Sequence, residues 1–224
     1  MSVLDVEVVV DWRSPLSVLF PPVQGAVLFA LWSRPVPLTG RAVHLQAGVG
    51  SYPGTLNALA RLVEHGLVSA RDVGRATEYV LNTEHVLYPV VDAAMGTYRP
   101  RAELDRRLLD LLRSALGSGA RATTVAYFGS YARGEATASS DIDLLLVLPE
   151  AFGPAEEDAL LEDLEAAVRR WTGNQLQVYA TRPSGLARAV EAGDPIIDSW
   201  DTEAQMLAGP DLRRRLRALR SAVS

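Results

Sequence analysis

Two short segments of this chain combine residue types that could do chemistry. The first is Gly129-Ser130, directly after the apolar run 123–128, and the second is Asp141-Ile142-Asp143-Leu144, at the head of another apolar run. A Gly-Ser turn between a strand and a helix bares backbone N–H groups and a hydroxyl, an arrangement suited to phosphate. Gly129 also puts no side chain in the way of a ligand. Residues two apart on a strand project from one face with Cα atoms about 6–7 Å apart. Asp141 and Asp143 therefore form a paired anion, while Ile142 and Leu144 turn to the core. Two carboxylates so close call for a cation. Oxygen ligands, a phosphate cradle and nothing soft indicate Mg²⁺ or Mn²⁺ with a nucleoside triphosphate, not Zn²⁺.

Composition narrows the alternatives. All 22 basic residues are arginine, and cysteine is absent. Disulfides, thiolate nucleophiles and cysteine-based metal sites are thereby excluded. His44, His65 and His85 share no short spacing and are read as surface or helix-end residues. The net charge of −5 disfavours general adhesion to nucleic acid and leaves only local basic clusters to bind it. The first dozen residues carry Asp5, Glu7 and Asp11 without a leading positive charge, the wrong order for a signal peptide. The longest apolar stretch, 23–32, is about half of the roughly 20 residues a membrane-spanning helix needs. A soluble, cytoplasmic protein without membrane association is expected.

The elements that must position the acids follow from pattern. Residues 123–128 and 144–148 read as buried strands, 154–171 as a helix, and 175–179 as a further strand. The run Gly-Ser-x-Ala-Arg-Gly-x-Ala-x-x-x-Ser-Asp-Ile-Asp-Leu over 129–144 resembles the minimal nucleotidyltransferases of the DNA polymerase β superfamily, a likeness covering residues 121–179. The resemblance implies that Gly129 and Ser130, with Arg133 and Ser140, bind the triphosphate of ATP, and that Asp141 and Asp143 hold the metal and are catalytic. It also implies a third carboxylate on the later strand. There, Leu176 and Val178 turn inward and leave Gln175 and Gln177 on the site face, so Gln177 stands where the acid is expected. An amide can offer its carbonyl oxygen to a metal but neither takes a proton nor supplies charge. Catalysis should suffer more than binding. Small nucleotidyltransferases of this kind are often encoded beside a helical partner, which implies a toxin–antitoxin partner protein as one alternative and a nucleotide sensor as another.

The N-terminal half has a different pattern. Residues 3–11 alternate weakly as a strand, and helices are expected over 23–32, over 40–47 with Thr39 as cap, and from Ser51 to Gly66 with Leu56, Leu59, Leu62 and Val63 on a buried face. Two strands around a glycine turn follow over 67–81. Three helices and a hairpin resemble the winged helix-turn-helix regulators of ArsR and MarR type, over residues 22–89. That likeness implies DNA contacts to an operator from Tyr52, Thr55, Asn57 and Arg61 of the recognition helix and Arg75 at the wing tip. Between Arg34 and Arg75 there are five arginines against two acids.

Helices are also expected over 85–95 and 101–116, the latter built on Leu104, Leu108, Leu111 and Leu112, and over 184–191, about 196–207, and 211–222. The last carries Arg213, Arg214, Arg215, Arg217 and Arg220, read as a solvated face. The expected fold class is α+β, with a winged helix-turn-helix domain at 1–90, a helical connector at 91–120 and a nucleotidyltransferase-like α/β domain with a small mixed sheet at 121–224. Regulators of the resembled type often pair through such helices, which makes a homodimer the expected assembly.

Overall fold

The computed structural model describes residues 10–12, 15–97 and 99–223. The expected strand over 3–11 lies almost wholly outside them. The chain divides into two compact units, 14–99 and a second made of 1–13 with 100–224. The boundary differs from expectation. No separate connector spans 91–120: helix α4 (Tyr88–Gly96) belongs to the first unit and helix α5 (Pro100–Leu116) to the second, and Trp12 joins the core of the second.

In the unit 14–99, a single 3-10 turn (Pro15–Val18) precedes α1 (Pro22–Ser33), β1 (Leu38–Thr39), α2 (Gly40–Ala47), α3 (Tyr52–Glu64), β2 (Val68–Val73), β3 (Ala76–Leu81) and α4 (Tyr88–Gly96). Both expected caps form. Thr39 Oγ1 accepts the Ala42 N–H at 3.3 Å and Ser51 Oγ accepts the Gly54 N–H at 3.2 Å, satisfying donors that a helix start leaves open. The two strands of the hairpin pair antiparallel about the Gly74-Arg75 turn, and β1 adds to β3, giving the order β1-β3-β2. Val27, Leu28, Leu31, Val43, Leu59 and Leu62 form the centre of the core. Each apolar side chain so buried contributes about 1.5–3 kcal/mol. The helix expected over 85–95 begins only at Tyr88. Its Val91 and Met95 are buried, whereas Leu87 and Val90 are exposed.

The second unit is a sheet covered on both faces. Its elements are α5 (Pro100–Leu116), a 3-10 turn (Gly117–Arg121), β4 (Thr124–Phe128), α6 (Gly129–Arg133), β5 (Ile142–Val147), α7 (Pro154–Thr172), β6 (Leu176–Thr181), α8 (Pro183–Glu191), α9 (Ile196–Glu203), β7 (Gln205–Ala208) and α10 (Leu212–Val223). Strand order is β6-β5-β4-β7, with β5 and β6 parallel and the other pairs antiparallel. Ile142, Leu144 and Leu146 face a core shared with Leu104, Leu108 and Leu112 of α5 and Leu160, Leu164 and Val168 of α7. Leu145 and Val147 face a second core with Leu186, Ile197, Trp200, Leu212 and Leu216 from α8, α9 and α10. A mixed α+β architecture with a small mixed sheet is therefore what the structure shows. The helix expected through 207 stops at Glu203, because residues 205–208 pair with the free edge of β4 instead. No helix among the described residues is long and apolar enough to cross a membrane.

Candidate active site

The carboxylate pair sits where the cover of the sheet ends. Leu145 and Val147, on the same face of β5 as Asp143, lie fully buried under the C-terminal helices, but Asp141 and Asp143 at the head of the strand are only half-buried. Burial, and then the neighbouring charge of Asp141, raise the pKa of Asp143, and the Arg133 guanidinium lowers it in part. Burial and the neighbouring carboxylate both disfavour the charged form of Asp143, and a cation bound beside it would favour that form.

Gly129 is at φ +65°, a conformation that disfavours side chains, and begins α6 at the end of β4. A Cβ built there would fall 2.3 Å from Asp143 Oδ2. The turn and the acid are therefore in direct apposition, although they are far apart in sequence. Antiparallel pairing of β4 with β5 sets Phe128 opposite Asp143 and so brings the two segments together. The buried Tyr131 anchors α6: its ring meets Trp12 edge-on at 5.0 Å and Tyr127 at 4.7 Å, with the Arg101 guanidinium over it at 4.7 Å.

Parallel pairing sets Gln177 of β6 beside Asp143. Its Nε2 donates to Asp141 Oδ2 at 2.9 Å. Gln177 therefore lies beside both acids and presents its N–H side to Asp141. Two other expected ligands are engaged elsewhere. Arg133 Nη1 donates to Glu203 at 2.6 Å and Nε to Glu135 at 2.8 Å, so two of the three guanidinium nitrogens face carboxylates. Ser140 Oγ accepts the Thr137 N–H at 3.0 Å and closes a turn rather than presenting an open hydroxyl. Glu203 and Gln205 were not legible as support for this site. Gln205 donates to Ala132 O and accepts from Arg101 at 2.7 Å, which fastens the end of α6. Both residues fall at or just beyond the end of α9, a segment that reads as one continuous helix in sequence.

Among the described residues no group of three or more His, Cys, Asp or Glu could hold a metal ion. Two carboxylates and a phosphate-compatible turn still fit Mg²⁺, which commonly binds one or two protein carboxylates and completes its shell with water and substrate phosphates.

In the unit 14–99, Tyr52, Asn57 and Arg61 of α3 and Arg75 at the hairpin tip are exposed, and Tyr52 and Arg75 line one cleft of about 450 Å³ with Arg41. Thr55 is the exception. It is fully buried, and its hydroxyl shares a hydrogen bond with His44 Nδ1 at 3.0 Å and donates to Ser51 O at 3.3 Å. Thr55 therefore ties α3 to α2 and cannot reach a duplex. His44, expected at the surface, is its partner. The C-terminal arginines are also partly committed within the fold: Arg213 donates to the carbonyls of Asp201, Thr202 and Ala204, and Arg220 pairs with Asp198 and Asp201. A solvated arginine face was expected there, but α9 takes these two.

Residues 106–176 match the family model of the nucleotidyltransferase domain. No curated protein matches the chain. Two solved structures are similar over 53% of this chain and 82% of theirs. One is a toxin–antitoxin crystallised with AMP-PNP, at 17% identity and a TM-score of 0.37. The other is a mutant of the toxin–antitoxin MntA-HpeT, at 14% identity and a TM-score of 0.36.

Proposed function

We propose that the second unit binds a Mg²⁺-nucleoside triphosphate and transfers its nucleoside monophosphate, AMP from ATP, to a hydroxyl acceptor. The observation that carries this reading is the apposition of Gly129 and Asp143, which sets a phosphate-compatible turn directly beside a carboxylate pair. Asp141 and Asp143 would hold the cation. Bound there, Mg²⁺ would supply neutralisation of the triphosphate and of the charge that develops on the leaving oxygen. The backbone N–H groups and hydroxyl of Gly129-Ser130 would orient the phosphates, and α6 is held rigid for that task by Tyr131 and Gln205. Gln177 cannot accept a proton from the acceptor hydroxyl and instead steadies Asp141. Incubation with labelled ATP, Mg²⁺ or Mn²⁺ and candidate acceptors should give a labelled product that Asp141→Asn abolishes. Absence of any labelled product from the wild-type chain would exclude transfer.

The amide at 177 favours a second reading, in which the unit binds Mg²⁺-nucleotide without turnover and acts as a sensor. Calorimetry would then show nucleotide binding in a chain that forms no product. A helical partner protein of the toxin–antitoxin kind belongs to either reading, and co-purification with the product of an adjacent gene tests it.

For the unit 14–99 we infer a winged helix-turn-helix that binds operator DNA, with a homodimer as the binding form. Exposed Asn57 and Arg61 on α3 and Arg75 at the hairpin tip support it. If Arg61 and Arg75 contact phosphates, Arg61→Ala and Arg75→Ala should each weaken binding across sequences and lower the salt slope by about 1. Unchanged titrations of the upstream DNA would leave this unit with a packing role.

A further inference from the structure

The carboxylate pair differs in how its two members are held. Asp143 lies within β5 and is fixed by pairing on both sides, to Phe128 and to Gln177. Asp141 precedes the strand, at the end of a segment, 134–141, that has no regular structure. We propose that Asn174 is the positioning residue for Asp141.

Asn174 lies between α7 and β6 and is 2% exposed. A buried amide is costly unless its donors and acceptor are met. Here they are met by the loop that carries Asp141: Nδ2 donates to Ala138 O and to Ser140 O, both at 3.3 Å. The Ser140 carbonyl belongs to the planar peptide that joins Ser140 to Asp141, so fixing that oxygen fixes the plane from which Asp141 departs. On the other side the Ile142 N–H donates to Gln175 O at 2.9 Å. The residue is therefore bracketed by the segment 174–177: the Asn174 side chain before it, the Gln175 carbonyl after it, and Gln177 on its carboxylate.

The amide itself is oriented from outside the loop. Its Oδ1 accepts from Trp12 Nε1 at 3.0 Å, which leaves Nδ2 to face the loop carbonyls, and the Asn174 N–H donates to Thr172 Oγ1 at 3.1 Å. Val10 N–H in turn donates to Thr172 O at 2.8 Å. Residues 10–12 thus reach the carboxylate pair through one buried side chain. A purely architectural role would confine the effect of Asn174 to stability; a positioning role requires that cation affinity change as well.

The proposal rests on the reading of Asp141 and Asp143 as a cation pair, and the experiment separates the two. Mn²⁺ is titrated into the full chain and followed by electron paramagnetic resonance, with thermal unfolding measured in parallel. Asn174→Leu keeps the number and branching of side-chain heavy atoms and removes every side-chain hydrogen bond, and Trp12→Phe keeps a ring against Tyr131 and removes only the N–H that orients the amide. Residues that orient ligands are typically worth 10–100-fold in metal affinity. Asn174→Leu is expected to weaken Mn²⁺ binding by about that factor while still unfolding cooperatively, with Trp12→Phe shifted in the same direction by less. Variants that lose stability but bind Mn²⁺ as the wild type does would overturn the positioning role and leave the cation site standing. Failure of the wild type itself to bind Mn²⁺ would overturn both. If Asn174→Leu does not fold, Trp12→Phe decides, and unchanged affinity there refutes the proposal.

Discussion

Gly129→Ala is expected to abolish metal-nucleotide binding by the second unit. Two costs combine at this position. A φ of +65° costs a residue with a Cβ about 1–2 kcal/mol. The added Cβ would also stand 2.3 Å from Asp143 Oδ2, so the carboxylate must swing away. With only two acids at the site, displacing one should reduce Mn²⁺ affinity by at least the 10–100-fold typical of a mispositioned ligand. Gly134→Ala supplies the control. Its φ is +74°, so it carries a similar backbone cost, but a Cβ there meets nothing within 4 Å. Titration of Mn²⁺ and thermal unfolding of both variants separate the effects. A stability loss at least as large in Gly129→Ala as in Gly134→Ala, with loss of affinity in Gly129→Ala alone, is expected, whereas parallel affinities in the two variants would contradict the apposition of turn and acid.

The second large effect should be a gain. Gln177→Glu places a third carboxylate beside Asp143 and opposite Asp141, and it replaces a hydrogen bond at 2.9 Å with repulsion between like charges. Without metal the variant should be less stable than the wild type. With Mn²⁺ the order should reverse, because a carboxylate about 4 Å from a divalent cation contributes up to about 8 kcal/mol at an effective dielectric constant near 20. Part of that is lost to repulsion within the triad. A net gain of about tenfold in affinity, or about 1.4 kcal/mol, is expected. Melting temperatures with and without Mn²⁺ read both signs in one experiment, since a ligand that binds only the folded state raises its stability by mass action. A variant that is destabilised in both conditions would show that position 177 does not face the cation. If labelled product forms only in Gln177→Glu, the wild-type chain is a sensor rather than a transferase.

Much of the local structure was legible in the chain. Thr39 and Ser51 announce two helix starts by side-chain type, Gly74 marks the hairpin turn, and the Leu104, Leu108, Leu112 spacing gives the buried face of α5. Such features depend on residues within one or two turns of each other. The paired acids and the Gly-Ser turn were equally legible, because strand alternation alone puts Asp141 and Asp143 on one side.

Other features were not legible because they depend on distant partners. Thr55 reads as a polar residue on an exposed helix start, yet it is buried, because His44 of α2 supplies the partner its hydroxyl needs. Residues 205–208 continue a helical pattern but form β7, because β4 offers an unpaired edge and pairing satisfies its backbone groups. The ion pair of Arg133 with Glu203, seventy residues later, is likewise invisible to local pattern.

The sequence by itself determined which residues could form a cation and phosphate site, and that an amide, Gln177, falls on the same face of the later strand, since residue type and short spacing suffice for both. Only the tertiary structure decided that Gly129 abuts Asp143, that Gln177 turns its N–H to Asp141, and that Asn174 holds the loop between them. Each of these follows from the register of strands brought together across long stretches of chain. The hydrophobic pattern fixes which face of each strand is buried, but which strands become neighbours depends on residues far apart in the chain.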